Sequence, residues 1–432
     1  MFELKLKDIV SKHLKFTACF LLLFCSLRGL VPLLLEDGDF AYPSIYLSFL
    51  MGVYISLWGL KRACQVVRND PFYLLSKIII INLIVSFLWV IPNFFSGDRS
   101  QVINFIYRGL FPCSIFIFIR LTEKTIVRLL GVIAILISFS IVWDSYEMNL
   151  LPYPAGYFKV YYRQLILRPD TLDFFGSTSG IFRSGGLLGI RPHESGSLLA
   201  VVITLFLGLG IRSKSLLPKE FLIVFLISIG FILSQSASNI IAAIVGIVFL
   251  FFVSRKNPFT RDRFLIFFPI VMLITALKPE KVIDIIVSFL GKIAKRVSPD
   301  YAGWKGMTTV GMTDNPIMDL LELILDFCSV IGRCNAPHSE VELLNLFTEF
   351  GLVYFSLFVS LLLFPLGVFF FRKNSNLLCT PYISAIFVGF VTLWHYATII
   401  RTSNIFIFYS IYALALKILY SKNLIFDSQK IA

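Results

Sequence analysis

The chain alternates long apolar runs with short polar interruptions, and the run lengths carry the first inference. A hydrocarbon core about 30 Å thick takes about 20 apolar helical residues to cross. Windows of about 19 residues pick out candidate spans at 14–35, 40–60, 72–95, 102–120, 126–143, 194–211, 220–235, 238–254, 263–278, 343–371, 380–400 and 403–420. Backbone polar groups in lipid must be paired within the segment, which favours helices. The pattern therefore predicts an all-α, polytopic integral membrane protein with about 12 transmembrane helices, one transmembrane domain over residues 1–432. Between Phe221 and Ser254 only SQSAS separates two spans, so a tight hairpin is expected there.

Two interruptions are too long to be turns: 144–193 and 278–342. Long connections with structure of their own usually carry function. In the second, Val282, Ile285, Ile286, Phe289, Leu290 and Ile293 recur at the spacing of one helix face, and Ile317–Gly332 reads similarly. Amphipathic helices lying along a membrane surface are expected for both.

Charge sets the orientation. One set of alternate loops reads KLKDIVSKHLK, KRACQVVR, RLTEKTIVR, RSKSLLPK, SRKNPFTRDR, RKN and SKN; the other short loops read EDGD, SGDRSQ, SQSAS and RTS. Lys and Arg near span ends remain on the cytoplasmic side. The first set is therefore cytoplasmic, both termini with it, and the two long loops face outward, which in a bacterium means the periplasm. The apolar run after the basic N-terminus is long for a signal peptide, so it is read as a retained first span.

Composition agrees: 57% hydrophobic and 15% charged, against about 45–50% and about 25% in soluble domains. The net charge of +13 would suggest nucleic acid in a soluble protein; here it marks topology, and no nucleic-acid partner is expected. The 7 cysteines form no CxxC and no Cys/His cluster, so no metal is expected. Cys328 and Cys334 share the second long loop, where an extracytoplasmic setting permits a disulfide. No Walker A loop, GxGxxG or DxD pair lies in the cytoplasmic loops, so neither nucleotide nor any other cofactor is expected.

Ionisable groups inside spans are costly and default to functional candidates. Arg28, Arg108, His193, Glu194, Glu349, His395 and Arg401 all fall in or beside the outward halves of spans. A transporter coupled to ions needs sites near the midplane and a path through both halves, so a flippase or other transporter fits this asymmetry poorly. Guanidinium groups bind phosphate bidentately and stay charged. Arg183, Arg191 and Arg333, with Arg163 and Arg168, thus form a candidate phosphate site, and a polyprenyl-diphosphate glycan is the natural phosphorylated substrate at an outer leaflet. Each has a plainer reading as well. The arginines serve as interfacial anchors or loop ion pairs, Ser339 caps a helix beside His338, and Arg28 and Arg108 tie spans together.

The stretch RSGGLLGIRPHESG resembles the first signature of the bacterial O-antigen polymerase and O-antigen ligase superfamily: Arg, a Gly-rich turn, Pro, then small residues entering a span. LSQSASNIIAAIVG resembles that family's Ser-rich turn, and IGRCNAPHSEVELLNLFTEFG its second signature, a His pair followed by a glycine early in a span. The interval from His338 to Gly351 is longer than the family's usual one, and Arg191 stands where an acidic or amide residue commonly precedes proline. The resemblance covers most of the chain and implies a GT-C-like membrane glycosyltransferase. Its donor would be an undecaprenyl-diphosphate-linked glycan. Its acceptor would be another lipid-linked repeat unit for a polymerase, or lipid A-core for a ligase. It implies His338 and Arg183 as catalytic groups and Arg191, Arg333, Arg108, Arg28, His193 and Glu349 as lining the diphosphate and glycan site. A chain-length regulator protein is the partner it suggests.

Sidedness is directly testable. Phosphatase fusions within 144–193 and 278–342 are expected to be active and fluorescent-protein fusions there dark; the reverse pattern would invert the orientation.

Overall fold

The computed structural model describes residues 2–26, 41–95, 103, 105–150, 192–213, 219–234, 236–254, 342–371, 377–393 and 404–430. Span 263–278, nearly all of the two long loops, Cys328 and Cys334 lie outside the described residues, as do Arg28, Arg163, Arg168, Arg183, Arg191, Arg333, His338, His395 and Arg401. Among the described residues there is no strand. In chain order the helices are α1 (Phe2–Ser26), α2 (Ala41–Cys64), α3 (Tyr73–Phe95), a composite α4, α5 (Glu123–Leu150), α6 (Pro192–Arg212), α7 (Lys219–Leu233), α8 (Ala237–Ser254), α9 (Glu342–Phe371), α10 (Thr380–Thr392) and α11 (Asn404–Lys430). Four of these contain windows long and apolar enough to cross a membrane: Tyr73–Val90, Glu123–Asp144, His193–Arg212 and Phe350–Phe371. α5 continues to Leu150, past the point where the apolar pattern ends.

α6 is the pillar of one half of the bundle. Its sequence fits its place: Pro192 needs no donor at the first helical position, Glu194 lies in the first turn and Arg212 in the last, each complementing the helix dipole. Packed by α5, α7, α8 and α10, its apolar window is 94% buried. Small residues allow close approach of backbones in such bundles. The hydroxyl of Ser138 on α5 sits within the ladder of α7, donating to the carbonyl of Leu226 at 3.0 Å and accepting from the N–H of Gly230 at 3.1 Å.

The other half gathers around α4, which is not a regular helix. It consists of a π turn Ile106–Leu110, a 3-10 turn Phe111–Ser114 and one α turn Ile115–Phe118. Pro112 explains the break. In an α-helix the carbonyl of Arg108 would accept from the N–H four residues on, and proline has none. That carbonyl instead accepts from the Nδ2 of Asn82 on α3, at 2.8 Å. Asn82 and Arg108 are both buried, so the bond replaces a lost backbone bond where no water competes.

α9 also departs from regularity. Gly351 has φ 77° and ψ 168°, a region open essentially to glycine alone. The break comes directly after Phe350, whose ring packs tilted against Trp89 with centroids 4.3 Å apart.

Asn82→Ala is expected to lower the melting midpoint in detergent, at a cost of about 1–3 kcal/mol for a buried carbonyl left without its donor. In a Pro112→Ala background, where a backbone N–H returns, the same substitution should cost clearly less. Equal losses in both backgrounds would reject the explanation.

Candidate functional site

The N-terminal end of α6 carries HESGS, and all five residues are buried. Polar groups entering a buried helix end must find partners inside the protein, and two other helix starts supply several of them. His193 Nδ1 lies 3.1 Å from Ser236 Oγ, with donor and acceptor set by the imidazole tautomer. The Nδ2 of Asn239, on the first turn of α8, donates to the carbonyl of His193 at 3.0 Å and to Ser236 Oγ at 2.8 Å. The Nδ2 of Asn404, which opens α11, donates to the carbonyl of Glu194 at 3.0 Å. Ser197 Oγ donates to the same carbonyl at 2.9 Å. Gly196 makes the approach possible: a Cβ there would stand 2.7 Å from Asn239 Nδ2 and 2.8 Å from Ser236 Cβ. The result is a buried polar layer joining α6, α8 and α11, on the chain immediately after Arg183 and Arg191.

A second polar centre lies in the other half. Arg108 is fully buried, carried by the π turn, an irregularity often found at functional positions. Its guanidinium lies over the Phe350 ring, 4.2 Å from the centroid. A desolvated cation over an aromatic face gains about 2 kcal/mol, and Phe350 in turn packs on Trp89 and, at 5.0 Å, on Tyr354. Of the sequence-derived candidates, His193 therefore joins the α6–α8–α11 layer, and Arg108 joins the α3–α4–α9 centre. Glu349 lies in α9 beside Phe350, but its side chain is outside the described residues, and Arg28, Arg183, Arg191, Arg333 and His338 are outside them altogether. Among the described residues no His, Cys, Asp and Glu cluster suits a metal ion.

Asn239 and Asn404 do not stand out in the sequence. Asn239 closes the Ser-rich turn SQSASN and Asn404 follows RTS ahead of an apolar run, both positions that read as ordinary helix starts. Their reach to carbonyls on α6 is a tertiary fact.

The opposite end of α6 is tied differently. Arg212 forms an ion pair with Glu123 Oε1 at 3.0 Å and donates to the carbonyl of Leu378 at 3.0 Å. Tyr382 Oη donates to the same carboxylate oxygen at 2.6 Å, and Lys417 Nζ to the carbonyl of Leu121 at 2.9 Å. Both members of the ion pair are about a third exposed, so it contributes at most about 1 kcal/mol. This end is a structural clasp, and the polar layer at the His193 end is the better candidate for chemistry. Compared with models of known protein families and with curated proteins, the chain matches none.

Asn239→Ala removes two buried donations at once and is expected to destabilise the protein by about 1–3 kcal/mol, whereas Ser238→Ala beside it should change the melting midpoint little. Indistinguishable melting of the two variants would show that the layer does not hold α6 to α8.

Proposed function

We propose that this chain is a glycosyltransferase of the inner (plasma) membrane, an O-antigen or related surface-polysaccharide polymerase with a GT-C-like arrangement of about 12 spans. It transfers the glycan of an undecaprenyl-diphosphate-linked donor to the terminal sugar of a lipid-linked repeat unit at the periplasmic face, with both termini in the cytoplasm. One observation carries the reading. His193 and Ser236 come from two separate family-like motifs, 43 positions apart, yet they share one buried polar layer at the end of the bundle that the charge pattern assigns to the outside.

The chemistry asks for little machinery. The acceptor hydroxyl oxygen attacks the anomeric carbon, the bond from that carbon to the diphosphate oxygen breaks, and the hydroxyl proton leaves. Arg183, Arg191 and Arg333 stabilise the departing diphosphate by charge, without metal or other cofactor. His338 takes the acceptor proton, a role suited to a side chain that titrates near neutrality. The polar layer beneath fixes the start of α6, so that the chain bearing Arg183 and Arg191 enters the membrane from a rigid base.

Arg183→Ala is expected to cost about 10²–10³ in rate, as loss of one charge-stabilising donor does, and His338→Ala about 10²–10⁴. Both should shorten or abolish glycan ladders in cells at unchanged protein abundance. Full-length ladders from both variants would remove the site. In a deletion strain, core capped by one repeat unit marks a polymerase; long polymer left unattached marks a ligase instead.

A further inference from the structure

The end of the bundle opposite the polar layer holds a recess that the proposed reaction does not use. It has a volume of about 590 Å³ and is lined by Val10, Ser11 and Leu14 of α1, Trp58, Lys61 and Arg62 of α2 with Gln65 after it, and Arg120 on the turn before α5. Three of these residues are cations from two separate parts of the chain, and no carboxylate is among the described lining residues. Among the described residues, Lys61 lies over the Trp58 ring, 5.1 Å from its centroid, and Arg62 donates to Gln65 Oε1 at 3.5 Å. Glu123, three residues after Arg120, and Asp70, five after Gln65, have other partners. Glu123 binds Arg212 and Tyr382, and Asp70 accepts from the N–H of Phe72 at 2.8 Å. Partial burial and the adjoining Arg62 guanidinium press Arg120 below the ordinary arginine range. Like charges gathered around a concave site favour an anion between them.

The apolar side of the recess tells which anion. Away from the cations, α2 presents Leu57, Tyr54 and Leu50 on one exposed face, and α1 presents Phe16 and Phe20, exposed at 71% and 42%. His13 and Tyr54 meet edge to face at 6.2 Å, so the two faces adjoin. A small soluble anion has no use for an apolar track leading away from its site; a phospholipid needs one for its acyl chains. Basic pockets between spans at the cytoplasmic boundary suit anionic headgroups, and Lys and Arg there lay their stems on apolar surface while the charge reaches out.

We infer that the recess between α1, α2 and the α4–α5 turn binds the phosphate of an anionic phospholipid through Lys61, Arg62 and Arg120, with the acyl chains along the α1–α2 face. The inference is separate from the glycosyl-transfer reading and needs only that this end lies at a membrane boundary.

The test compares full-length protein in nanodiscs of phosphatidylcholine alone with nanodiscs containing phosphatidylglycerol, reading the melting midpoint and the phosphatidylglycerol retained after purification. The wild type should melt higher with phosphatidylglycerol. Arg62→Gln and Arg120→Gln should each lower retention about fivefold, the worth of one cation at an anionic surface, and the double variant should lose most of the midpoint rise. Its midpoint in phosphatidylcholine should match the wild type, which separates lipid binding from folding. Arg68→Gln, an exposed cation outside the recess, should behave as wild type. An undiminished rise in the double variant would overturn the inference. So would an equal rise from inorganic phosphate in phosphatidylcholine discs, which would assign the recess to a soluble anion, or a loss in Arg68→Gln as large as in the double variant, which would reduce it to bulk surface charge.

Discussion

A helix enclosed on nearly all sides cannot send polar groups to water, and α6 begins with HESGS. The fold around it follows from that constraint. Ser236, Asn239 and Asn404 are helix-start residues whose usual task is to cap their own helices; here Asn239 and Asn404 donate to carbonyls of α6 instead. In a bilayer such bonds are modest one at a time, about 0.6 kcal/mol on average. Their larger effect is on register, because each fixes the height of one helix against α6. A slip by one turn would leave several buried donors and acceptors unpaired together.

The same logic governs the irregular half. Pro112 removes a donor from the ladder of α4, the π turn follows, and Asn82 restores the bond from another helix. Gly351 breaks α9 at the level where Phe350 covers the Arg108 guanidinium. Two backbone irregularities and one buried cation thus meet in a single place. Regular helices would carry Phe350 and Arg108 along different paths, and the cation would lose its aromatic cover in a setting where desolvation is expensive.

The two ends of the bundle differ in chemistry. Around His193 the groups are amides, hydroxyls, an imidazole and the carboxyl of Glu194, deeply buried, with the amides bonded to backbone. Around Arg212 and Arg120 they include cations and a carboxylate, partly exposed, with bonds between elements far apart in the chain. Deep burial gives positional precision, which the proposed reaction centre requires. Partial exposure gives contact with a charged boundary, which a lipid-binding recess requires. The proposed catalysis and the inferred lipid binding share no residue, so the two proposals stand or fall separately.

The helical class, the positions of most apolar segments and the bias of Lys and Arg to alternate loops are one-dimensional properties. Run length and charge position are enough to read them, because lipid leaves so few backbone solutions. His193 and Arg108 stand out in the sequence for the same reason: an ionisable residue in an apolar run is visible without coordinates. The π turn in α4, the place of the Phe350 ring against Arg108, and the alliance of Asn239 and Asn404 with α6 are not visible. Asparagine at a helix start looks the same whether it caps its own helix or a neighbour's backbone, and a proline in a span announces a break but not the donor that repairs it. Local sequence states which groups lose a partner; only the packing of distant helices decides which groups supply one, because the two sides of each such bond lie 26 to 210 residues apart.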